Sequence, residues 1–333
     1  MTSHVSKGVK PRINVWDIFS RYREVGLIVF ILLLVVVVTL RAPAFLTVNN
    51  LTDILMNISI LLIVALGQTM VILTKGIDLS VSSTIGLVAM MVAFVLKENP
   101  GTPVFVIVLL GMALGTVAGL FNSIIITIGK VPPIIATLGT LSVYRGLVFY
   151  YSSGTWINSF ELPASIKMLS KGRLLGLPNL IVIAFLIAII VYLFLKYTRT
   201  GRNIFAVGSN VEAAEYEGIR PQRIVFLVYL LSGMLAGLGA VLWVSRFESA
   251  QTNTALGFEL QTVTAAVIGG VSISGGVGTI PGVILGALLL GMIQNALTLV
   301  RISPFWQLAA QGLLIIIAVV IDKVISPRVV RTR

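Results

Sequence analysis

Nine polar side chains interrupt the apolar runs of this 333-residue chain: Gln68, Asp78, Asn122, Thr137, Tyr144, Gln261, Thr264, Gln294 and Asn295. Groups of this kind mainly exchange hydrogen bonds. In an apolar setting they are expensive, so they mark a solute route or bridge neighbouring helices, the latter worth about 0.6 kcal/mol each. Gln294 and Asn295 are adjacent on one helix and point about 100° apart, so at most one faces a central path directly. Asp78 is the one acid of the set. It can cap a helix beginning near Leu79, where the positive end of the dipole favours a carboxylate; it can pair with Lys75; or it can relay a proton. Arg145, beside Tyr144, reaches an interface or forms an internal pair. There is no cysteine, and the single histidine, His4, lies near the N-terminus. Thiol, histidine and thiolate-metal chemistry are therefore excluded from the apolar interior, and no paired carboxylates are evident there.

The elements that hold these groups must cross a membrane. The chain is 57% hydrophobic and only 11% charged, whereas a soluble domain carries roughly 25% charged residues. Ten apolar stretches are candidate spans: 25–41, 54–73, 82–96, 103–128, 134–151, 178–197, 223–245, 257–271, 279–299 and 305–326. The expected fold is an all-α polytopic membrane protein of about ten transmembrane helices. Two candidates, 82–96 and 257–271, are short for a hydrocarbon core about 30 Å thick and read as broken or half-spanning helices. The basic residues ahead of the first apolar run, with a loose cleavage-like "APA" after it, read as a retained span rather than a signal peptide.

Charge orients the chain. With the N-terminus inside and spans alternating, sixteen Lys and Arg fall on the inner side and seven on the outer, with Arg145 inside a span. Basic residues accumulate in cytoplasmic loops, so both termini and the stretch 198–222 are expected in the cytoplasm. The net charge of +12 is thereby explained without nucleic acid. The expected organisation is a tail at 1–24, one membrane domain at 25–326 and a tail at 327–333.

An internal echo suggests two weakly repeated halves. At an offset of 194 residues, Gly76-Ile77-Asp78-Leu79-Ser80 aligns with Gly270-Val271-Ser272-Ile273-Ser274. Paired breaks of this kind point to the substrate route in transporters. The glycine-rich stretch 269–282 has no lysine, so it is not a phosphate-binding loop.

The polar stretch 198–223 contains a short helix. Ser209 to Glu212 reads as a capping box, with Gly218 as the left-handed terminator. Ala213 and Ala214 allow close approach, and Glu212, Glu215 and Glu217 supply a charged rim. Gly201-Arg202 leads in and Arg220-Pro221 leads out.

Glu212-Ala213-Ala214 followed by Gly218 resembles the EAA-x-x-x-G motif of ATP-binding cassette (ABC) importer permeases. "GIDLSVSS" (76–83), "PPIIATLGTLSVYRG" (132–146), "GRNIFAVGSNVEAAEYEGI" (201–219) and "AAVIGGVSISGGVGTIPG" (265–282) are similar to the sugar branch of that family. That branch includes ribose, arabinose, xylose and galactose permeases, and the nearest likeness is to autoinducer-2 or rhamnose permeases. The resemblance implies a non-catalytic subunit in a bacterial cytoplasmic membrane, importing a monosaccharide or a sugar-like signal. Its implied partners are cytoplasmic ATPase subunits, a second permease subunit (identical or related), an extracytoplasmic sugar-binding protein and membrane lipid. The chain itself would bind no cofactor; ATP and Mg would be used by the ATPase. Gly201, Arg202, Ser209, Glu212, Ala213, Ala214 and Gly218 would form the ATPase-coupling segment. The nine intramembrane polar residues would be pathway candidates, since a sugar offers hydroxyls rather than charge. The alternative is an ion-coupled secondary transporter.

Overall fold

The computed structural model describes residues 23–303 and scattered positions within 306–320. The candidate span 305–326 lies largely outside the described residues, as do most of the tail at 1–24 and all of that at 327–333.

Among the described residues twelve α-helices follow in order: α1 (Arg23–Arg41), α2 (Val48–Leu73), α3 (Val81–Glu98), α4 (Val104–Thr127), α5 (Pro133–Ser152), α6 (Ala164–Lys171), α7 (Asn179–Tyr197), α8 (Arg199–Ser209), α9 (Val211–Tyr216), α10 (Pro221–Phe247), α11 (Phe258–Ile268) and α12 (Ile280–Leu299). Eight are long and apolar enough to cross a membrane: α1 to α5, α7, α10 and α12. A two-residue hairpin, β1 (Arg173–Leu174) with β2 (Leu177–Pro178), follows α6. The fold is thus an all-α polytopic membrane protein.

Two of the expected half-helices part company. The run 82–96 extends to an 18-residue helix, α3, about 27 Å long and close to a full crossing. The charged residues at its end, Lys97 and Glu98, hide its true length from a hydropathy window. The run 257–271 is shorter than expected: α11 has 11 residues, about 16 Å.

Helix α2 forms the centre, buried almost all round from Ile58 to Leu73. Helix α10 lies against it and against α4. Gly111, Gly115 and Gly119 of α4 face Gly233 and Gly237 of α10 so closely that a Cβ on Gly115 would sit 2.7 Å from the Gly237 Cα. Small residues let helix backbones touch where lipid supplies no hydrophobic drive. Apolar side chains on α1, α4, α5 and α7 point outward, among them Leu33, Leu109, Leu138 and Leu186.

Contacts sort the connections onto two ends. At one end, Thr279 Oγ1 donates to Glu24 Oε1 (2.8 Å), Gly276 N to Leu73 O (3.0 Å) and Lys75 Nζ to Ser209 O (3.5 Å). At the other, Lys97 pairs with Glu161 (2.6 Å), Arg246 with Asp53 (3.3 Å), and Asn50 exchanges two amide bonds with Asn295 (2.9 and 3.0 Å). Ile157 bridges to Ala250 at this second end.

The two stretches of the sequence echo follow helices that end alike, in a register differing from that of the sequence alignment. Helices α2 and α11 both close with paired Schellman bonds: Gly76 N to Val71 O (3.0 Å) and Val271 N to Ala266 O (3.0 Å). The left-handed residues are Lys75 (φ 65°) and Gly270 (φ 88°). These caps superpose Lys75 on Gly270, one residue off the alignment. The next helices start at Val81 and Ile280, so the second loop is the longer and the Gly-aliphatic-polar match does not carry into geometry.

Candidate translocation and coupling sites

The first group lies where α8 meets α9. Helix α8 was not expected as a separate helix. Its buried face is Gly201, Ile204, Val207 and Gly208, which folds it flat onto the bundle end. Gly201 and Arg202 therefore lie inside a helix rather than leading into one. Ser209 is the last residue of α8. The cap of α9 is Asn210, in extended backbone (φ −149°, ψ 111°), whose Oδ1 accepts from Ala213 N (3.1 Å). The capping box at Ser209 is thereby corrected: Glu212 is second in the helix, one residue short of the position that can reach back.

Gly218 does end the segment, at φ 78°. Its N donates to Glu215 O (2.9 Å) and Ile219 N to Ala214 O (2.9 Å), the two bonds of a Schellman motif. Of the six residues of α9, Ala214 alone is buried; Glu212, Ala213, Glu215 and Tyr216 are exposed, Tyr216 at 92%. Beside α9 a cleft of about 690 Å³ is lined by Arg199, Arg202, Arg220, Arg223 and Glu217, among others. Among the described residues, none of these arginines forms an ion pair. The surface thus carries acid on the helix and base behind it.

The second group is a buried polar chain. Asp78 accepts from Ser80 N (3.0 Å), Ser80 Oγ (2.6 Å) and Ser232 Oγ (3.4 Å). Ser80 Oγ accepts from Asn122 Nδ2 (2.8 Å), and Asn122 Oδ1 accepts from Thr140 Oγ1 (2.7 Å). The Gln68 amide, oriented to match its neighbours, donates to Asp78 O (3.2 Å) and accepts from Asp78 N (3.1 Å). Thr137 Oγ1 donates to Ile77 O (3.1 Å). The chain ties α2, α3, α4, α5 and α10 together, and Asp78, Ser80, Asn122 and Thr140 are all buried.

Two expectations for Asp78 are corrected here. The carboxylate folds back on Ser80 ahead of α3, an Asx-type turn, and Lys75 is directed to Ser209 instead. Ser80, Thr140 and Ser232 were missed. Their signal was present in apolar runs, but single Ser and Thr in membrane helices commonly bond their own preceding turn, so type alone does not single them out.

The remaining candidates scatter. Tyr144 Oη donates to Ala118 O (2.8 Å), Thr264 Oγ1 to Leu260 O (2.6 Å), and Asn295 is held by Asn50. Gln261 and Gln294 are half-buried, on α11 and α12. Arg145 donates to Thr252 O (3.0 Å) and Thr254 O (2.9 Å), making it a staple between α5 and the 250–257 turn. On the end bearing Asn50, Glu248 meets Lys171, Lys167 (3.3 Å) and Ser159 (2.5 Å). The hydrogen bond from Lys171, then that from Ser159, hold its carboxyl at about 2.

An α-helical bundle with buried polar groups between its spans and a capped helix at one end is the architecture of a polytopic membrane protein. The chain belongs to the family described as the branched-chain amino acid transport system / permease component, which matches residues 50–319. The ribose import permease protein RbsC of Bacillus subtilis (strain 168) is 36% identical over 301 residues, 90% of this chain and 93% of that protein. RbsC of Escherichia coli (strain K12) is 36% identical over 297 residues, 89% and 92% of the two chains. The autoinducer 2 import system permease protein LsrC of Salmonella typhi is 35% identical over 300 residues, 90% and 85%. No solved structure gives a significant match. The chain is a permease subunit of an ABC importer, a transport component rather than an enzyme.

Proposed function

We propose that this permease imports a neutral, hydroxyl-rich solute of monosaccharide size, a ribose-type pentose or autoinducer-2, and that α9 is its coupling helix. Relatives named for those two solutes, similar over nearly their whole length, support the substrate class. The observation that carries the coupling role is α9 itself: a helix capped at both ends, presenting Glu212, Glu215 and Tyr216 outward. Isolated helices of this length are unstable in water, so a fixed one with an exposed acidic and aromatic face suits a protein partner.

In this reading a cytoplasmic ATPase, using ATP and Mg, receives α9 at the end that carries Lys75. A sugar-binding protein delivers solute at the end that carries the 153–178 segment. A second permease subunit completes the membrane unit. The end bearing α9 faces the cytoplasm of a bacterial inner membrane, together with both termini, and 25–326 forms one membrane domain. Gly201, Arg202, Ser209, Glu212, Ala213, Ala214 and Gly218 build or border the coupling surface. Gln261, Gln294 and Asn295 are the pathway candidates left half-exposed, Asn295 being held by Asn50.

Proteoliposomes holding the permease, its ATPase and its binding protein test the proposal with labelled D-ribose and autoinducer-2. Uptake of either, requiring ATP on the α9 side and indifferent to proton or sodium gradients, is expected. Uptake driven by an ion gradient without ATP overturns it, and so does ATP-coupled transport that ignores both solutes.

A further inference from the structure

The glycine-rich loop 269–279 meets the α8–α9 elbow backbone to backbone. Gly276 N donates to Leu73 O at the end of α2 (3.0 Å). A Cβ on Gly276 would lie 2.6 Å from Ser209 N, and one on Gly208 would lie 2.6 Å from Gly276 N. A Cβ on Gly275 would lie 2.9 Å from Gly208 O and 3.1 Å from Leu73 O. Gly275 and Gly276 are left-handed, at φ 82° and 71°. Lys75 Nζ reaches across the same junction to Ser209 O (3.5 Å).

Three chain segments thus touch with almost no side chain between them. Close-packed contacts of this kind have no slack, so a displacement of one segment passes to the others. The elbow leads into α9 one residue later. Beyond the loop lie α11 and α12, which carry Gln261 and Gln294. The end of α2 leads into the turn that holds Asp78.

We propose that Gly208, Gly275 and Gly276 form a clasp that carries movement of α9 into the α11–α12 break and the end of α2. They are positioning residues for transport, distinct from any residue that touches solute or ATPase. The inference rests on the reading of α9 as the coupling helix, and its test separates the two.

Hydrogen exchange is followed in the full complex in nanodiscs, nucleotide-free and then trapped with ATP, Mg and vanadate. In the wild type, trapping alters exchange at 211–218 and at 269–279 together. In Gly276→Ala the 211–218 response persists while that at 269–279 falls about ten-fold; ATP hydrolysis continues with less solute moved per ATP. A wild-type complex that responds at 211–218 but not at 269–279 overturns the clasp and leaves the coupling helix standing. Silence at 211–218 overturns the coupling reading.

A second variant leaves the buried glycines alone. Lys75→Cys with Ser209→Cys places two exposed thiols in a chain that has no other cysteine, and a short bis-maleimide joins them. If the clasp moves as one body, the cross-linked complex keeps its response at 269–279. Loss of that response means that the elbow moves relative to the end of α2, and the clasp is wrong.

Discussion

At the scale of single residues, the buried polar chain separates groups that stabilise from one that does not. Asp78 accepts three hydrogen bonds, so Asp78→Ala strands the Ser80 amide and the Ser80 and Ser232 hydroxyls inside the bundle. Stranding buried donors costs about 1–3 kcal/mol, and thermal unfolding in detergent should show the loss. Asp78→Asn keeps an acceptor oxygen and should lose less. Tyr229 is the opposite case. Its hydroxyl is buried against Gly76 without a hydrogen-bond partner among the described residues, so Tyr229→Phe should be neutral or stabilising by up to about 1 kcal/mol. A clear destabilisation of Tyr229→Phe would reveal a partner for that hydroxyl. Glu248 sets a pH dependence at the other end. Its carboxyl is lowered from the ordinary 4.5 to about 2, chiefly by its bond from Lys171. A lowered carboxyl contributes stability that is fully present above about pH 4.5 and lost as pH falls towards about 2. The gap in melting temperature between wild type and Glu248→Gln should therefore hold steady above about pH 5 and close on acidification; a gap independent of pH would refute the assignment.

At the scale of elements, the α8–α9 hairpin shows what a sequence hides. The buried face of α8 recurs at 201, 204, 207 and 208, a helical spacing open to inspection. Two of those four residues are glycines, which read as breaks in a sequence. Here they are demanded by close packing: a Cβ on Gly201 would lie 2.6 Å from the Leu195 Cα, and Gly208 meets Gly276. Helix α8 therefore reads as a loop in the sequence, and the cap of α9 reads as Ser209 instead of Asn210. The end of α9 was legible, because only a left-handed residue closes a Schellman motif and Gly218 supplies it without strain. The glycine ladder of α4 and α10 was legible in principle, at a spacing of four residues on both helices. The buried polar chain was not, since which hydroxyls meet depends on helix rotation that composition does not fix. The corrected cap makes a direct prediction. Asn210→Ala removes the side chain that holds Ala213 N and should cost α9 about 1 kcal/mol, weakening ATPase pull-down. Ser209→Ala leaves that cap intact and should weaken binding less. Equal effects from the two variants would return the cap to Ser209.

At the scale of the whole molecule, two independent arguments divide the chain between the same two ends. The charge count assigns Lys75, Lys130 and 198–222 to one side and Lys97, Arg246 and Arg301 to the other. The contacts use no charge bias for most of their links, yet they gather Leu73, Ser209, Gly276 and Glu24 at one end and Asn50, Glu161 and Ala250 at the other. The agreement requires α11 with the stretch ahead of it to count as one crossing despite its 11 residues. The stretch 250–257 completes that crossing, its Thr252 and Thr254 carbonyls held by Arg145 rather than left to lipid, the condition under which irregular backbone is tolerated at depth. Single cysteines test the arrangement, since the natural chain has none. With α9 in the cytoplasm, thiols at Lys75 and Tyr216 should resist an impermeant maleimide added to intact cells and react in inverted vesicles. A thiol at Leu175, 97% exposed on the hairpin, should show the reverse. A thiol at Arg301, exposed beyond α12, lies three crossings from Tyr216 and should label as Leu175 does; were it labelled from the same side as Tyr216, α11 and the stretch ahead of it would turn back before crossing, and the bundle would hold one span fewer between α9 and α12.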